Sequence, residues 1–262
     1  MNSTERKMVA ALRELKTDYG AISVRAEFEA EGTKLEELSR LKEISMVAGL
    51  ELTLKIGGCE SVRDMLESNL IGVNQLVAPM VESAYALRKY LQAVKKTCAG
   101  RDRLEILVNI ETKTAIECLD EMLKVPEIGV LNGIVVERVD LCRSLGLSPE
   151  DINAPAVCEW AAGAFGKAKA KNLLCVLGGG LSAQSLDFIR STGGTDRFET
   201  RKICFDAAKA LTLKPEEGIL KALSFEMLWL KNKMGYYRSI SRAEKQRLKI
   251  IRSRYFSGIK TA

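Results

Sequence analysis

Short apolar runs alternate with longer segments of helical periodicity along most of the chain. In the helical segments, apolar residues recur every three or four positions, as Leu35, Leu38, Leu41 and Ile44 do. The strand-like runs lie at residues 21–29, 52–56, 74–80, 104–111, 133–140, 173–177 and 197–205. This alternation predicts βαβ units and therefore a parallel sheet covered by helices.

We expect an α/β fold of the TIM-type (β/α)8 barrel class. Only seven strands are recognisable in the pattern, so either one strand of the barrel is irregular or the barrel is incomplete at its seam. An open doubly wound sheet is the alternative. No Gly-x-Gly-x-x-Gly sequence opens the first helix, which argues against a dinucleotide-binding sheet.

The pattern divides the chain into two parts. Residues 1–206 form the predicted barrel with an N-terminal helix, and residues 207–262 form a helical extension that packs on the barrel or on a neighbouring subunit. The net charge is +6, yet residues 231–262 alone contain ten Lys or Arg and one acid, Glu244. An oligomer contact and an anion-binding arm both fit this basic segment. We favour packing within a homo-oligomer and do not expect nucleic-acid binding, because no recognition module accompanies the charge.

The composition excludes several kinds of chemistry. The chain has no histidine, which rules out Ser-His-Asp and Cys-His catalysis within it and removes the commonest metal ligand. Its seven cysteines are scattered and include no Cys-x-x-Cys pair, so neither a zinc site nor a disulfide framework is expected. Reduced thiols, a charged N-terminus and the lack of a membrane-length apolar run predict a cytoplasmic protein.

Two predicted strands end on a carboxylate. Glu111 follows the run from Val108 to Ile110, and Asp140 follows the run that begins at Val135. The carboxyl ends of parallel barrel strands open into one mouth, where the catalytic groups of barrel enzymes lie. Two convergent carboxylates suit a hard cation such as Mg²⁺. Other charged residues are predicted at the same end of the barrel: Glu27, Glu29, Lys55, Glu82, Glu199 and Arg201. The period of two puts Glu199 and Arg201 on one face of the last strand, where they either pair with each other or reach the mouth.

Four segments together resemble the HpcH/HpaI aldolase and citrate lyase family, with a similarity that spans roughly residues 20–206. They are Ala78-Pro79-Met80-Val81-Glu82-Ser83, Asn109-Ile110-Glu111-Thr112, Arg138-Val139-Asp140-Leu141 and Ser144-Leu145-Gly146-Leu147. The resemblance implies a barrel enzyme that binds Mg²⁺ or Mn²⁺ and acts on pyruvate, a related 2-oxo acid or an acyl-CoA thioester. By position, it implies that Glu111 and Asp140 hold the metal.

The chain departs from the family pattern at the positions that would bind substrate and move protons. Asn109 stands where the family often has Gln, Lys55 where it commonly has Arg, and Glu137 where it has Gly. The segment 25–29 lacks the family's His. The predicted substrate-binding residues are Lys55, Gly57, Gly58, Asn109 and Arg138. The predicted acid/base candidates are Glu27 and Glu29, with water on the cation as a further option, and Glu82 and Arg201 are further mouth residues.

The predicted function is a metal-dependent carbon-carbon lyase or aldolase that acts on a 2-oxo acid and an aldehyde through a metal-stabilised enolate. A Schiff base on Lys55 is a second mechanism, which we rank lower because it leaves Glu111 and Asp140 unexplained. An acyl-CoA lyase or thioesterase and a catalytically reduced barrel used as a scaffold are the alternative functions. The turn Gly178-Gly179-Gly180, followed by Ser182, fits equally a phosphate-binding turn for a phosphorylated or nucleotide-linked substrate and a tight structural turn.

Overall fold

Eight strands close into a single barrel in chain order in the computed structural model, which describes the fold of residues 1–255 and the side chains of residues 1–250. The strands are β1 Ala21–Glu27, β2 Glu51–Lys55, β3 Gln75–Ala78, β4 Glu105–Asn109, β5 Gly133–Glu137, β6 Leu174–Gly178, β7 Arg197–Glu199 and β8 Ile203–Asp206. The (β/α) barrel class predicted from the alternating pattern is confirmed.

The α-helices follow the strands in the alternating order that the periodicity predicts. They are α1 Ser3–Tyr19, α2 Leu35–Ala48, α3 Val62–Ile71, α4 Ala84–Thr97, α5 Lys113–Glu117, α6 Leu119–Met122, α7 Arg138–Ser144, α8 Pro155–Lys169, α9 Leu186–Thr192, α10 Ala207–Ala210 and α11 Pro215–Tyr255. Local chemistry sets the ends of these helices. The Ser83 side chain accepts a hydrogen bond from the backbone N–H of Ala86 at the start of α4. Gly20 takes φ +75° at the end of α1, which turns the chain directly into β1.

The irregular strand predicted from the count is the closing strand β8. Strands β1 to β7 run parallel, whereas β8 pairs antiparallel with both β7 and β1. The prediction of one strand over residues 197–205 is wrong, because a turn at Thr200–Lys202 reverses the chain. The Thr200 N–H donates to the carbonyl of Ile203 at 2.9 Å, and the Ile203 N–H donates to Thr200 Oγ1 at 3.1 Å.

The barrel interior is apolar at its centre and polar or charged at the carboxyl ends of the strands. Val77, Leu107, Val135 and Val176 pack together as a buried cluster inside the barrel. Successive inward residues on a strand are two apart, so the next inward residues towards the carboxyl ends include Asn109 on β4 and Glu137 on β5. Glu137 on β5 lies two residues beyond Val135 in this way, next to Gly178 on β6. The apolar cluster therefore forms the floor of the charged mouth.

The C-terminal helix α11 packs along α1 of the same chain. Ile219, Ala222, Phe225 and Trp229 are buried on its inner face. The division of the chain at residue 206 stays a prediction, and residues 256–262 of the predicted extension lie outside the described part. No described helix is long and apolar enough to cross a membrane.

Candidate active site

A buried arginine at the mouth of the barrel gathers three carboxylates. Arg25 on β1 is 2% exposed. Its Nη2 lies 2.9 Å from Glu199 Oε1 on β7, 3.6 Å from Glu137 Oε1 on β5 and 3.7 Å from Glu27 Oε1. Lys55 Nζ, at the end of β2, lies 3.3 Å from Glu27 Oε2. Four strands thus bring their last inward side chains into one ionic cluster.

These carboxylates differ in their pKa values. Burial opposes ionisation of Glu27, but the charges of Arg25 and Lys55 outweigh it and lower the pKa of Glu27. Burial raises the pKa of Glu137 despite the charge of Arg25. Burial also raises the pKa of Glu199 to about 8, again against the charge of Arg25. Carboxylates that crowd one cation cannot all ionise easily, so the pair of Glu137 and Glu199 retains a proton near neutral pH.

Glu111 lies two residues after the end of β4, and its side chain is fixed from two sides. Its Oε1 accepts from the backbone N–H of Met80 at 2.7 Å, and its Oε2 accepts from Asn109 Nδ2 at 2.8 Å. Burial is the largest influence on its carboxyl group, and it raises the pKa of Glu111. Met80 has φ +53°, which is uncommon for a side chain other than glycine. Such backbone strain clusters at functional sites.

The sequence pattern predicted that Asp140 ends a strand, and this prediction is wrong. Strand β5 ends at Glu137, and Asp140 lies in the first turn of α7. The Asp140 side chain is 47% exposed, with Arg143 Nη1 at 4.0 Å from Oδ1. The negative charge of Asp140 helps to raise the pKa of Glu137, although burial is a larger cause of that shift. The two groups are therefore electrostatic neighbours. Asp140 is therefore a partly solvated carboxylate at the edge of the cluster.

The charges of the mouth suit a divalent cation. Four acids, Glu27, Glu111, Glu137 and Glu199, face two bases, Arg25 and Lys55. With the one proton that the pair of Glu137 and Glu199 retains, the mouth keeps a surplus of one negative charge before Asp140 is counted.

The neighbouring polar atoms favour the same interpretation. Asn109 Oδ1 is buried beside Glu111 without a hydrogen-bond partner. The described side chains contain no group of three or more His, Cys, Asp or Glu that could hold a metal ion. Mg²⁺ usually takes only one or two protein carboxylates and completes its shell with water and substrate oxygens, so Glu111 and the buried Asn109 Oδ1 fit such an ion, and a ligand role for Asp140 stays a prediction.

Three of the predicted site residues lie away from this cluster. Glu29 is exposed in the turn after β1. Arg201 is in the β7–β8 turn, where its Nε donates to Glu31 Oε1 at 3.1 Å. The pairing of Arg201 with Glu199 suggested by strand periodicity does not form, because the turn separates them. Glu82 accepts a hydrogen bond from Thr112 at the start of α5, next to Glu111.

The two predicted glycines follow β2 at the rim of the mouth. The Gly57 N–H is already bound, because it donates to Asp64 Oδ2 at 2.7 Å. A Cβ on Gly58 would meet only Ser61 Oγ, at 3.6 Å. Substrate binding by this loop stays a prediction, and the geometry leaves Gly58 as the more open of the two positions.

The Arg138 guanidinium hydrogen-bonds to other protein groups and is not part of the ionic cluster in the mouth. Its Nε donates to the carbonyl of Gly178 at 3.2 Å, its Nη1 to Asn153 Oδ1 at 2.6 Å, and its Nη2 to the carbonyl of Gly179 at 2.7 Å and to Ser185 Oγ at 3.2 Å. Burial lowers the pKa of Arg138 to about 10. These contacts give Arg138 a structural role and do not favour the predicted contact with substrate.

The glycine run after β6 is packed against the strand that precedes Arg138. A Cβ on Gly178 would lie 2.7 Å from Glu137 Oε1. A Cβ on Gly179 would lie 2.5 Å from the backbone nitrogen of Arg138. Close approach of the two loops is sufficient to require glycine at both positions. The geometry favours the tight structural turn over the phosphate-binding turn.

Sequence reasoning missed Arg25 and Glu137 as members of the site. Arg25 is two residues before Glu27, so the period of two along β1 could have placed both side chains inside the barrel. Glu137 was noted only as a replacement for glycine. Glu199 was expected at this end of the barrel, but the turn that separates it from Arg201 was not predicted.

The fold and the mouth define a class of protein: a (β/α) barrel with a buried acidic site at the carboxyl ends of its parallel strands. The model of the HpcH/HpaI aldolase/citrate lyase family matches residues 39–176, more than half of the 262-residue chain. The chain belongs to this family. Family membership supports a lyase- or aldolase-type enzyme, and the resemblance found in the four sequence motifs is confirmed.

Solved structures of the same kind share the fold. An HpcH/HpaI aldolase from Desulfitobacterium hafniense superposes with a TM-score of 0.60 at 16% identity, over 80% of this chain and 86% of that chain. A family protein from Burkholderia cenocepacia gives a TM-score of 0.62 at 13% identity, over 96% of this chain and 100% of that chain. Citrate synthase SbnG gives a TM-score of 0.57 at 16% identity, over 87% of this chain and 90% of that chain. No curated protein sequence matches the chain.

Proposed function

We propose that this protein is a divalent-metal-dependent carbon-carbon lyase of the aldolase type that acts on pyruvate or a related 2-oxo acid. Mg²⁺ or Mn²⁺ is the proposed cation. The observation that carries the proposal is the acid surplus of the mouth, with Glu111 held in place by Asn109 and Met80. An oxygen-rich pocket with excess negative charge attracts a hard cation, and this family's chemistry uses one.

Glu111 and Asp140 would hold the cation, and when bound it would polarise the carbonyl oxygen of the 2-oxo acid. Lys55 would bind the substrate carboxylate. Its ammonium group is at the rim of the mouth, with 11% of its side chain exposed, and it forms an ion pair with Glu27. A Lys offers a point charge and not the bidentate fork of Arg, so it fixes the carboxylate less rigidly.

Cleavage of a 4-hydroxy-2-oxo acid requires a base for the hydroxyl proton and an acid for the carbon that loses the aldehyde. Glu27 is a weak base, because Arg25 and Lys55 hold its pKa low. The acid/base function is better matched by the pair of Glu137 and Glu199, whose raised pKa values lie closer to neutral pH. In this histidine-free mouth, we assign the proton to a carboxyl oxygen of that pair. Glu29 reaches substrate only if the β1–α2 loop moves.

Calorimetric titration of Mg²⁺ or Mn²⁺ in the presence of pyruvate or oxalate tests the metal assignment. The wild-type protein is expected to bind, and Glu111→Gln and Asp140→Asn are each expected to weaken binding at least tenfold. Glu117→Gln is a matched control, because Glu117 is exposed on α5 and pairs only weakly with Lys113 at 3.8 Å. If wild type gives no binding heat, the scaffold alternative replaces the enzyme proposal.

Borohydride reduction in the presence of pyruvate distinguishes the metal mechanism from the Schiff-base mechanism. The metal mechanism predicts no covalent adduct. A pyruvyl adduct mapped to Lys55 by peptide mass spectrometry would overturn it, with Lys89 on α4 as an internal control for nonspecific labelling.

The second candidate function is an acyl-CoA-dependent reaction of the citrate type. The family includes citrate lyases, and a citrate synthase shares the fold. This alternative predicts that coenzyme A raises the melting temperature of the protein, whereas the 2-oxo acid aldolase predicts no effect of coenzyme A and a rise with Mg²⁺ plus pyruvate.

A further inference from the structure

Lys202, in the turn between β7 and β8, is buried at the mouth of the barrel. It is 2% exposed, and no other lysine among the described side chains is buried to this extent. This charge takes no part in the reaction steps given above. Burial of an ammonium group is costly unless the group is paired and hydrogen-bonded, so its contacts indicate its role.

Two groups hold the Lys202 ammonium. Its Nζ forms an ion pair with Glu31 in the loop after β1, and it donates to the backbone carbonyl of Arg25 at 3.4 Å. The backbone N–H of Arg25 in turn donates to the carbonyl of Lys202 at 2.9 Å. Burial lowers the pKa of Lys202, and the charge of Glu31 opposes that shift. The β7–β8 turn is therefore fastened both to β1 and to the loop that follows it.

The loop after β1 is bonded to the ionic cluster at both of its ends. The Phe28 N–H donates to the carbonyl of Lys55 at 2.9 Å, and the Thr33 N–H donates to the carbonyl of Glu27 at 3.3 Å. Glu31 lies between these two hydrogen bonds, and its side chain is 10% exposed. A shift of Glu31 would therefore be passed to the backbone of two residues of the cluster.

Arg201 also binds Glu31, but from the solvent side. Its Nε donates to Glu31 Oε1 at 3.1 Å, and the Arg201 side chain is 55% exposed. Exposed ion pairs contribute little to stability, whereas loss of one partner of a buried pair leaves an uncompensated charge. The position of Glu31 is thus set mainly by the buried Lys202.

We propose that Lys202 is a positioning residue of the candidate active site: through Glu31 it holds the β1–α2 loop against the mouth, which keeps the cluster residues bonded to that loop in place for the reaction. This inference rests on the proposed lyase function. In this role Lys202 touches neither the substrate nor the cation, because its ammonium group already bonds protein groups. Its charge also reaches Glu27, whose pKa is lowered against the effect of burial by Arg25, Lys55 and this third cation.

Steady-state kinetics with a 4-hydroxy-2-oxo acid and Mg²⁺ test the proposal. Lys202→Met is expected to lower kcat by about tenfold or more and to change KM by less than about threefold, because misplaced catalytic groups slow the reaction without removing a substrate contact. Glu31→Gln breaks the same pair from its other side, so it is expected to lower kcat in the same way. Lys167→Met is the matched control, since Lys167 pairs with Asp120 at 2.8 Å between α8 and α6 and its loss should leave the kinetics unchanged.

Two measurements separate positioning from a general loss of structure. Hydrogen exchange followed by mass spectrometry should show faster exchange at residues 28–34 in Lys202→Met and in Glu31→Gln, with the rest of the barrel unchanged. The double variant should be no slower than Lys202→Met alone, because both changes break one pair. A fall in kcat without faster exchange in the loop refutes the route through Glu31.

The outcomes distinguish this inference from the proposed function. A wild-type protein without lyase activity overturns both. An active wild type whose kcat is unchanged in Lys202→Met overturns the positioning role alone. A KM that rises tenfold at unchanged kcat would instead make Lys202 a substrate-binding group. If Lys202→Met does not fold, Glu31→Gln decides, and unchanged kcat and loop exchange in that variant overturn the proposal.

Discussion

Replacement of Glu199 by Gln should remove a specific pH dependence of folding stability. Glu199 is 4% exposed and lies 2.9 Å from Arg25, with Glu137 and Glu27 on the same guanidinium nitrogen. Its charged and titratable neighbours also include Lys55. Burial raises the pKa of Glu199 from 4.5 to about 8. Gln keeps the shape and the neutral state of the protonated acid but cannot titrate.

The sign follows from the direction of the shift. Between its unfolded pKa and its folded pKa, Glu199 holds a proton in the folded state that the unfolded state releases, so its contribution to stability is lost as pH rises. One such proton corresponds to about 1.4 kcal/mol per pH unit. From pH 5.5 to 7.5, the stability of wild type should therefore fall by about 2 to 3 kcal/mol relative to the Glu199→Gln variant.

Urea unfolding followed by tryptophan fluorescence at pH 5.5, 6.5 and 7.5 measures this difference. Other titrating groups are present in both proteins, so they largely cancel in the comparison. Glu137→Gln is the control that locates the proton. A stability difference between wild type and Glu199→Gln that stays constant over this range would refute the assignment. If the fall in stability between pH 5.5 and 7.5 disappears in Glu137→Gln and persists in Glu199→Gln, the proton belongs to Glu137.

Three further substitutions test the structural roles inferred above, each by urea unfolding at pH 7. Arg25→Met should lower the free energy of unfolding by about 3 to 5 kcal/mol, because it leaves buried carboxylates without their cation. Arg138→Met should lower the free energy of unfolding by about 3 kcal/mol or more, because two backbone carbonyls lose their donor. Arg63→Met is the control: the Arg63 side chain is 88% exposed, so its loss should change the free energy of unfolding by less than about 0.5 kcal/mol. Met80→Gly should raise the free energy of unfolding by up to about 1 kcal/mol, because glycine relieves a left-handed backbone conformation at a half-exposed side chain. An unchanged or lower free energy of unfolding would mean that the Met80 side chain offsets the strain.

The fold was largely predictable from the sequence because its signals are local. Apolar periodicity identified each of the strands β1 to β6 and most helices, and the Ser83 cap at the start of α4 is a local signal of the same kind. The closing hairpin was not predictable in the same way. Residues 197–205 are strand-like throughout, and the turn at Thr200–Lys202 depends on hydrogen bonds between Thr200 and Ile203 that leave little trace in hydrophobic pattern.

The site was predictable only in part, because side-chain partners depend on which strands meet in space. The sequence gives no distance between Arg25 and Glu199, although they form the shortest ion pair of the cluster. The same limit applies to Arg138. The pattern placed Arg138 inside the strand predicted over residues 133–140 and among the substrate-binding candidates. In the structure, β5 ends one residue before Arg138, and the guanidinium turns towards the loop after β6.

The antiparallel direction of β8 also shapes the mouth. In a barrel of eight parallel strands, the last strand presents its carboxyl end there, but here the mouth receives the start of β8 and the turn before it. This reversal brings Lys202, which is 2% exposed, to the rim, where it pairs with Glu31 in the loop after β1. Arg201 binds the same Glu31 from the outside. Because Glu31 and the candidate Glu29 share one loop, the hairpin fixes the position of that loop relative to Glu27 and Lys55. The irregular strand therefore couples closure of the barrel to the geometry of the site.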